Sequence, residues 1–90
     1  MPQAIVDPVA LRRYAQQLKS FNEELHNKLT VLHGQTMALG DTWRDQEHEK
    51  FLTAFEQTRL MVQKFMEASQ QHIPFLLKKA ERIEEYLNLR

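Results

Sequence analysis

The sequence predicts an all-α protein, an antiparallel helix–turn–helix hairpin that pairs into a four-helix bundle dimer. Three observations predict it. Leu11, Leu18, Leu25, Leu32 and Leu39 recur every seven residues, and seven residues make about two α-helical turns, so the five side chains form one seam. Phe51, Phe55, Val62, Phe65, Leu76 and Ile83 keep the same phase after a break at Gly40-Asp41-Thr42-Trp43, which supplies the second helix that the seam needs. Leu52, Met66, Ile73 and Leu87 add a further stripe beside the second seam. A helix apolar over so wide a sector asks for a second neighbour, and pairing two hairpins provides it.

Taken in order, the chain reads as one domain over residues 1–90. Residues 1–7 are an extended lead-in. Asp7-Pro8 starts helix one, about 8–39, because Asp accepts the free amides of a first turn and Pro tolerates the first helical position. Tyr14 and Phe21 flank the leucine seam on one side, Ala15 and Leu29 on the other. Gly34 costs about 1 kcal/mol in a helix interior, yet Leu39 keeps phase beyond it, which favours continuation to a Gly40 C-terminal cap.

The turn falls at about 40–43. Asp41 or Thr42 caps helix two, about 44–88, with Asp45 in its first turn. Pro74 removes one backbone hydrogen bond and predicts a kink or break. With the turn centred near residue 41, Pro8 lies opposite Pro74. The tail, with Leu76, Leu77, Ala80, Ile83, Tyr86 and Leu87, then overhangs. Residues 1–7, a folded-back third helix or another chain would cover it.

Composition narrows the functional classes. Twelve basic and twelve acidic residues cancel, which argues against a dedicated nucleic-acid or anionic-membrane binder. The same neutrality puts no long-range penalty on self-association, so the expected partner is a second copy, with a similar hairpin as the other option. The chain has no cysteine, which removes disulfides and thiolate chemistry. No apolar run approaches the roughly 20 residues of a membrane span. Met1-Pro2-Gln3-Ala4-Ile5 shows neither a basic n-region nor an apolar h-region, so the expected location is cytoplasmic, or outside the cell without a cleaved signal peptide.

Few side chains suggest chemistry. No phosphate loop or nucleophile–base spacing is present, so no enzyme and no cofactor is expected. His26 and His33 lie one heptad apart, and the pairing count sets His48 and Glu49 opposite His33, but about 10 Å along the axis between the first two is too far for one ion, so no metal is expected. His72 falls on the seam in this reading, where it would tune the bundle in mild acid. Met37, Met61 and Met66 read as seam filling rather than as an adaptable binding surface. Arg12, Arg13 and Lys19 read as a solvated helix face rather than a docking patch, and Glu47, Glu49, Glu84 and Glu85 as solubilising charge. Trp43 is either a partner-facing anchor or a plug for the open end of the bundle. A charged residue at Leu25 or Phe65 is expected to unfold the chain.

The residues around the turn are more specific. The single Trp, Trp43, stands at the midpoint and precedes Phe51 by eight positions, within Leu39-Gly40-Asp41-Thr42-Trp43-Arg44-Asp45. This arrangement resembles the WXG family of small type VII secretion proteins, the early-secreted-antigen-like group, over nearly the whole chain. The resemblance implies helical hairpins that pair as homodimers or heterodimers and carry Trp-x-Gly at the turn. Here Asp45 takes the place of that Gly. The family's C-terminal Tyr-x-x-x-Asp/Glu export signal is matched by Tyr86, with Arg90 in the acidic position. The resemblance implies a non-enzymatic substrate or partner protein of a type VII-like system, touching its apparatus through Trp43 and the tail around Tyr86. The alternative is an intracellular dimeric adaptor that is not secreted.

Overall fold

The computed structural model describes residues 6–88. Two helices account for nearly all of them. Helix α1 runs Pro8–Ala38, a short 3₁₀ turn follows over Leu39–Asp41, and α2 runs Gln46–Asn88. The helices lie antiparallel, giving a rod of 69 × 19 × 16 Å with a radius of gyration of 20.3 Å. A compact chain of this length would have about 12 Å.

Asp7 caps α1 as the sequence suggests. Its Oδ1 accepts from the Val9 amide at 2.9 Å, and Pro8 opens the helix. Gly34 sits inside α1. Gly40 does not act as the cap, since no glycine among the described residues has a positive φ. The helix instead tightens into the 3₁₀ turn, where the amides of Thr42 and Trp43 both donate to the Leu39 carbonyl, at 3.0 and 2.8 Å. Helix α2 begins at Gln46 and continues through Pro74. The lead-in proposed for residues 1–7 lies mostly outside the described residues.

The two helices contribute to their shared seam in different ways. Helix α2 presents His48, Leu52, Phe55, Arg59, Val62, Met66, Ser69, Ile73, Leu76, Ala80 and Ile83, an unbroken alternation of four and three residues. Helix α1 starts in heptad phase with Leu11, Leu18 and Leu25 but then moves to Leu29, His33 and Thr36. The five-leucine seam is therefore not the hairpin seam, because Leu32 and Leu39 are exposed. An α-helix has 3.6 residues per turn, so a strict seven-residue repeat drifts by about 20° per heptad. The drift is taken up on α1, where the contacts step by four from Leu25 to Leu29 and again to His33 while α2 keeps its heptad, so Leu32 and Leu39 fall outside the seam.

Small side chains occupy the closest approach. Ala15, Asn22, Thr36, Ser69 and Ala80 are the most deeply buried residues, and no large side chain among the described residues is fully enclosed. The Ser69 hydroxyl lies 2.9 Å from Asn22 Oδ1 and 3.1 Å from the Met66 carbonyl. Asn22 Nδ2 has no partner.

The pairing register differs from the sequence estimate. Arg12 reaches Glu84, Asn22 reaches Ser69, and Phe21 meets Phe65. Pro74 therefore lies abreast of Ala15 to Asn22, lining one groove with them, and not opposite Pro8. The crossing is completed only at Gln46, which moves the centre of the hairpin several residues downstream. The expected overhang is thereby largely absorbed. Leu76, Ala80 and Ile83 belong to the hairpin's own seam, and α2 does not fold back as a third helix.

Candidate interaction surface

The turn is organised by Asp45. Its Oδ1 accepts from the His48 amide at 3.0 Å and from the Trp43 indole Nε1 at 2.8 Å. Asp45 is thus the N-terminal cap of α2 rather than a first-turn residue, and neither Asp41 nor Thr42 takes that role. An N-cap oxygen satisfies the amide three residues on, and the carboxylate in the place of the motif's glycine also fixes the tryptophan ring. Arg44 closes the turn from the other side, donating from Nε to the Gly40 carbonyl at 2.9 Å.

Trp43 is half-buried, and it starts a chain of rings along the hairpin. Its centroid lies 5.0 Å from His48 and 5.8 Å from Phe51. Phe51 lies 6.0 Å from Phe55, and Phe55 lies 6.5 Å from His33 on α1. His48 is buried beneath the indole with Nε2 unpartnered, as is Nδ1 of His33. His72 does not lie on the seam. It is exposed, one position away from the seam residue Ile73, which removes the acid-tuning role proposed for it.

Of the fifteen exposed large apolar residues among those described, seven gather on one side of the hairpin. At about 100° per residue, Tyr14, Phe21, Leu32 and Leu39 fall within about 20° of one another on α1. Phe51, Met61 and Phe65 form the matching stripe on α2. All seven are exposed. Each stripe is displaced from its own seam in the same rotational sense, and in an antiparallel pair this puts both on one side. The edge-to-face contact of Phe21 with Phe65, 6.3 Å between centroids and 89° between planes, joins them. On the opposite side Asn22, His26, Asn27, Gln63, Glu67 and Gln70 line two adjoining clefts of about 770 and 470 Å³, the larger one shared with Ile73, Pro74 and Leu77.

The residues named as a core therefore divide. Leu11, Leu18, Leu25, Phe55, Val62, Leu76 and Ile83 are half-buried between the helices. Phe21, Leu32, Leu39, Phe51 and Phe65 belong to the exposed apolar side, and Tyr86 is 76 % exposed near the end of α2. Arg90 lies outside the described residues. The polar residues Asn22, His48 and Ser69 were not assigned to the seam, His48 having been weighed only as a metal ligand. The signal for two of them was present, since His48 and Ser69 share the heptad phase of Phe55, Val62 and Leu76.

Glu84, read from the sequence as plain surface charge, is engaged, and so is Glu56. Arg12 donates from Nε and Nη2 to Glu84 at 3.0 and 2.5 Å, closing the open end of the hairpin. The hydrogen bonds from Arg12 hold the Glu84 carboxyl below its ordinary range and raise the guanidinium. Arg59 does the same for Glu56 one turn away. Arg12 is thus committed within the molecule rather than part of a free basic patch.

The exposed area is large for the mass. The chain presents 7290 Å², whereas a compact 10.7 kDa protein exposes about 5,500 Å². The excess, about 1,800 Å², exceeds what one partner contributes to a standard interface, about 800 Å². A family model described as proteins of 100 residues with WXG matches residues 3–86. No curated protein and no solved structure matches the chain.

Proposed function

The chain belongs to the WXG family of roughly hundred-residue helical proteins associated with type VII secretion, and we propose that it acts there by pairing with another hairpin through its apolar side. The observation that carries this reading is the joined stripe around Phe21 and Phe65. Side chains of that size, burying about 1.5–3 kcal/mol each, lie on one side of a rod that cannot cover them itself. The role is non-enzymatic, that of a substrate or partner protein handled as a folded pair. Trp43 and Tyr86 are the contacts offered to a secretion apparatus, since both remain accessible at the two ends of α2. Export without a cleaved signal peptide is typical of the family, and no helix among the described residues is long and apolar enough to cross a membrane.

Two substitutions separate hairpin from pairing. Leu25→Asp puts a charge between the helices and is expected to abolish the helical circular dichroism signal. Phe65→Asp alters an exposed side chain and is expected to leave the helices but eliminate the paired species in sedimentation. This revises the expectation that either change unfolds the chain. Loss of helix in both, or survival of the pair in Phe65→Asp, would count against the assignment of the face.

A second reading is supported by Arg90, which stands where the family's export signal has an acid. In that reading the same pair is an adaptor that stays inside the cell. Detection in culture supernatant, abolished by Trp43→Ala or Tyr86→Ala, decides for export.

A further inference from the structure

The zero net charge of this chain hides a segregation. At about 100° per residue, Lys50, Lys64, Lys79 and Arg82 fall within about 60° of one another on α2, and Lys79 shares the bearing of Met61. Glu49, Glu56, Glu67 and Glu81 fall within about 40° on the other flank, beside the two clefts. None of these eight side chains is buried. On α1 the apolar stripe is flanked by Arg13 and Lys28 against a single acid, Glu24. Only Glu47, in the first turn of α2, adds another carboxylate on that side. The apolar face is therefore rimmed by six basic and two acidic groups.

We infer that the partner this face fits is a hairpin with an acidic rim, and not a second copy of this chain. The inference rests on the reading that the apolar side pairs. Stacking two identical hairpins face to face about a two-fold axis sets α2 over either α2 or α1 of the other copy. In the first case the lysine ridge meets itself. In the second it meets a rim in which Arg13 and Lys28 outnumber Glu24. Each arrangement brings like charges together around a desolvated centre, which opposes the wrong partner more than it weakens the right one. The local rim, rather than net charge, governs pairing in this inference, because exposed charges interact over about 10 Å at ordinary salt, less than the 16–19 Å width of the rod.

The full chain and a charge-reversed copy (Lys50→Glu, Lys64→Glu, Lys79→Glu, Arg82→Glu) provide the test. The copy is the acidic-rimmed hairpin used as probe. All four changes are at exposed helix positions, and circular dichroism checks that the fold is kept. The gentler pair Lys64→Glu and Arg82→Glu serves if it is not. Sedimentation velocity at low salt is expected to show the mixed pair forming at least tenfold more tightly than either chain with itself. Raising the salt is expected to erase that preference and to strengthen self-association of the original chain. A tight pair of the original chain at low salt, with no preference for the probe, would overturn the inference and leave the pairing face intact. Mixed pairing that survives Phe65→Asp in both chains, or no association in any mixture, would instead remove the pairing reading itself. Binding to phosphatidylglycerol vesicles in preference to the probe would also overturn it, assigning the basic rim to an anionic surface.

Discussion

Asp45→Ala removes the one oxygen that serves both the start of α2 and the Trp43 indole. Losing an Asp N-cap costs about 1 kcal/mol in typical hosts. The indole bond at 2.8 Å is made to a carboxylate but at an exposed position, so about 0.5–1 kcal/mol is assigned to it rather than the larger value of a buried charged bond. The expected loss is therefore about 1.5–2 kcal/mol, or roughly 6–16 °C in melting temperature for a domain of this size. Urea unfolding followed by circular dichroism measures it, at one fixed protomer concentration because pairing contributes to apparent stability. Asp45→Gly restores the family residue and tolerates the cap position at a cost of a few tenths of a kcal/mol, so its deficit reports mainly the indole bond. Trp43→Phe keeps a ring but no N–H donor, and the double variant closes a cycle. A loss below about 0.5 kcal/mol for Asp45→Ala, or a coupling below about 0.3 kcal/mol between positions 43 and 45, would refute the dual role of Asp45.

Two further outcomes are expected. Gly34→Ala should raise stability by about 0.8–1 kcal/mol in urea unfolding, since Gly34 lies within α1 and a Cβ there meets nothing within 4 Å; a destabilised variant would show that α1 is interrupted at that point. The Glu84 carboxyl is lowered by its hydrogen bonds from Arg12, so its contribution to stability is present above the ordinary glutamate value and is lost as the pH falls through the lowered folded one. Amide exchange should therefore show the open end of the hairpin loosening below about pH 4, while Arg12→Ala moves the Glu84 titration midpoint upward. An unmoved midpoint would mean that the ion pair does not persist in solution.

The legible parts of this fold were those governed by a single periodicity. Helix α2 holds its heptad for the whole length of the seam, and Phe55, Val62, Leu76 and Ile83 are read from it directly. Helix α1 misleads because its seam takes two successive steps of four, Leu25 to Leu29 to His33, so Leu32 and Leu39 keep the sequence phase and lose the spatial one. The start of α2 was not legible in the same way. Asp41, Thr42 and Asp45 all suit an N-cap chemically, and the choice among them depends on the 3₁₀ turn, which leaves no mark in hydrophobicity. The seam positions of Asn22, His48 and Ser69 were missed for a related reason. A search for apolar stripes passes over polar residues that occupy the same phase, although closeness of approach favours their small or flat side chains.

A seam whose deepest positions are alanine, serine, threonine and asparagine, with its leucines and phenylalanine only half covered, gives the hairpin its alignment but limited adhesive strength. An unmated copy would open often, and each opening exposes a long, protease-sensitive strand of chain. The lifetime of such a protein in a cell is set by how quickly it finds its mate.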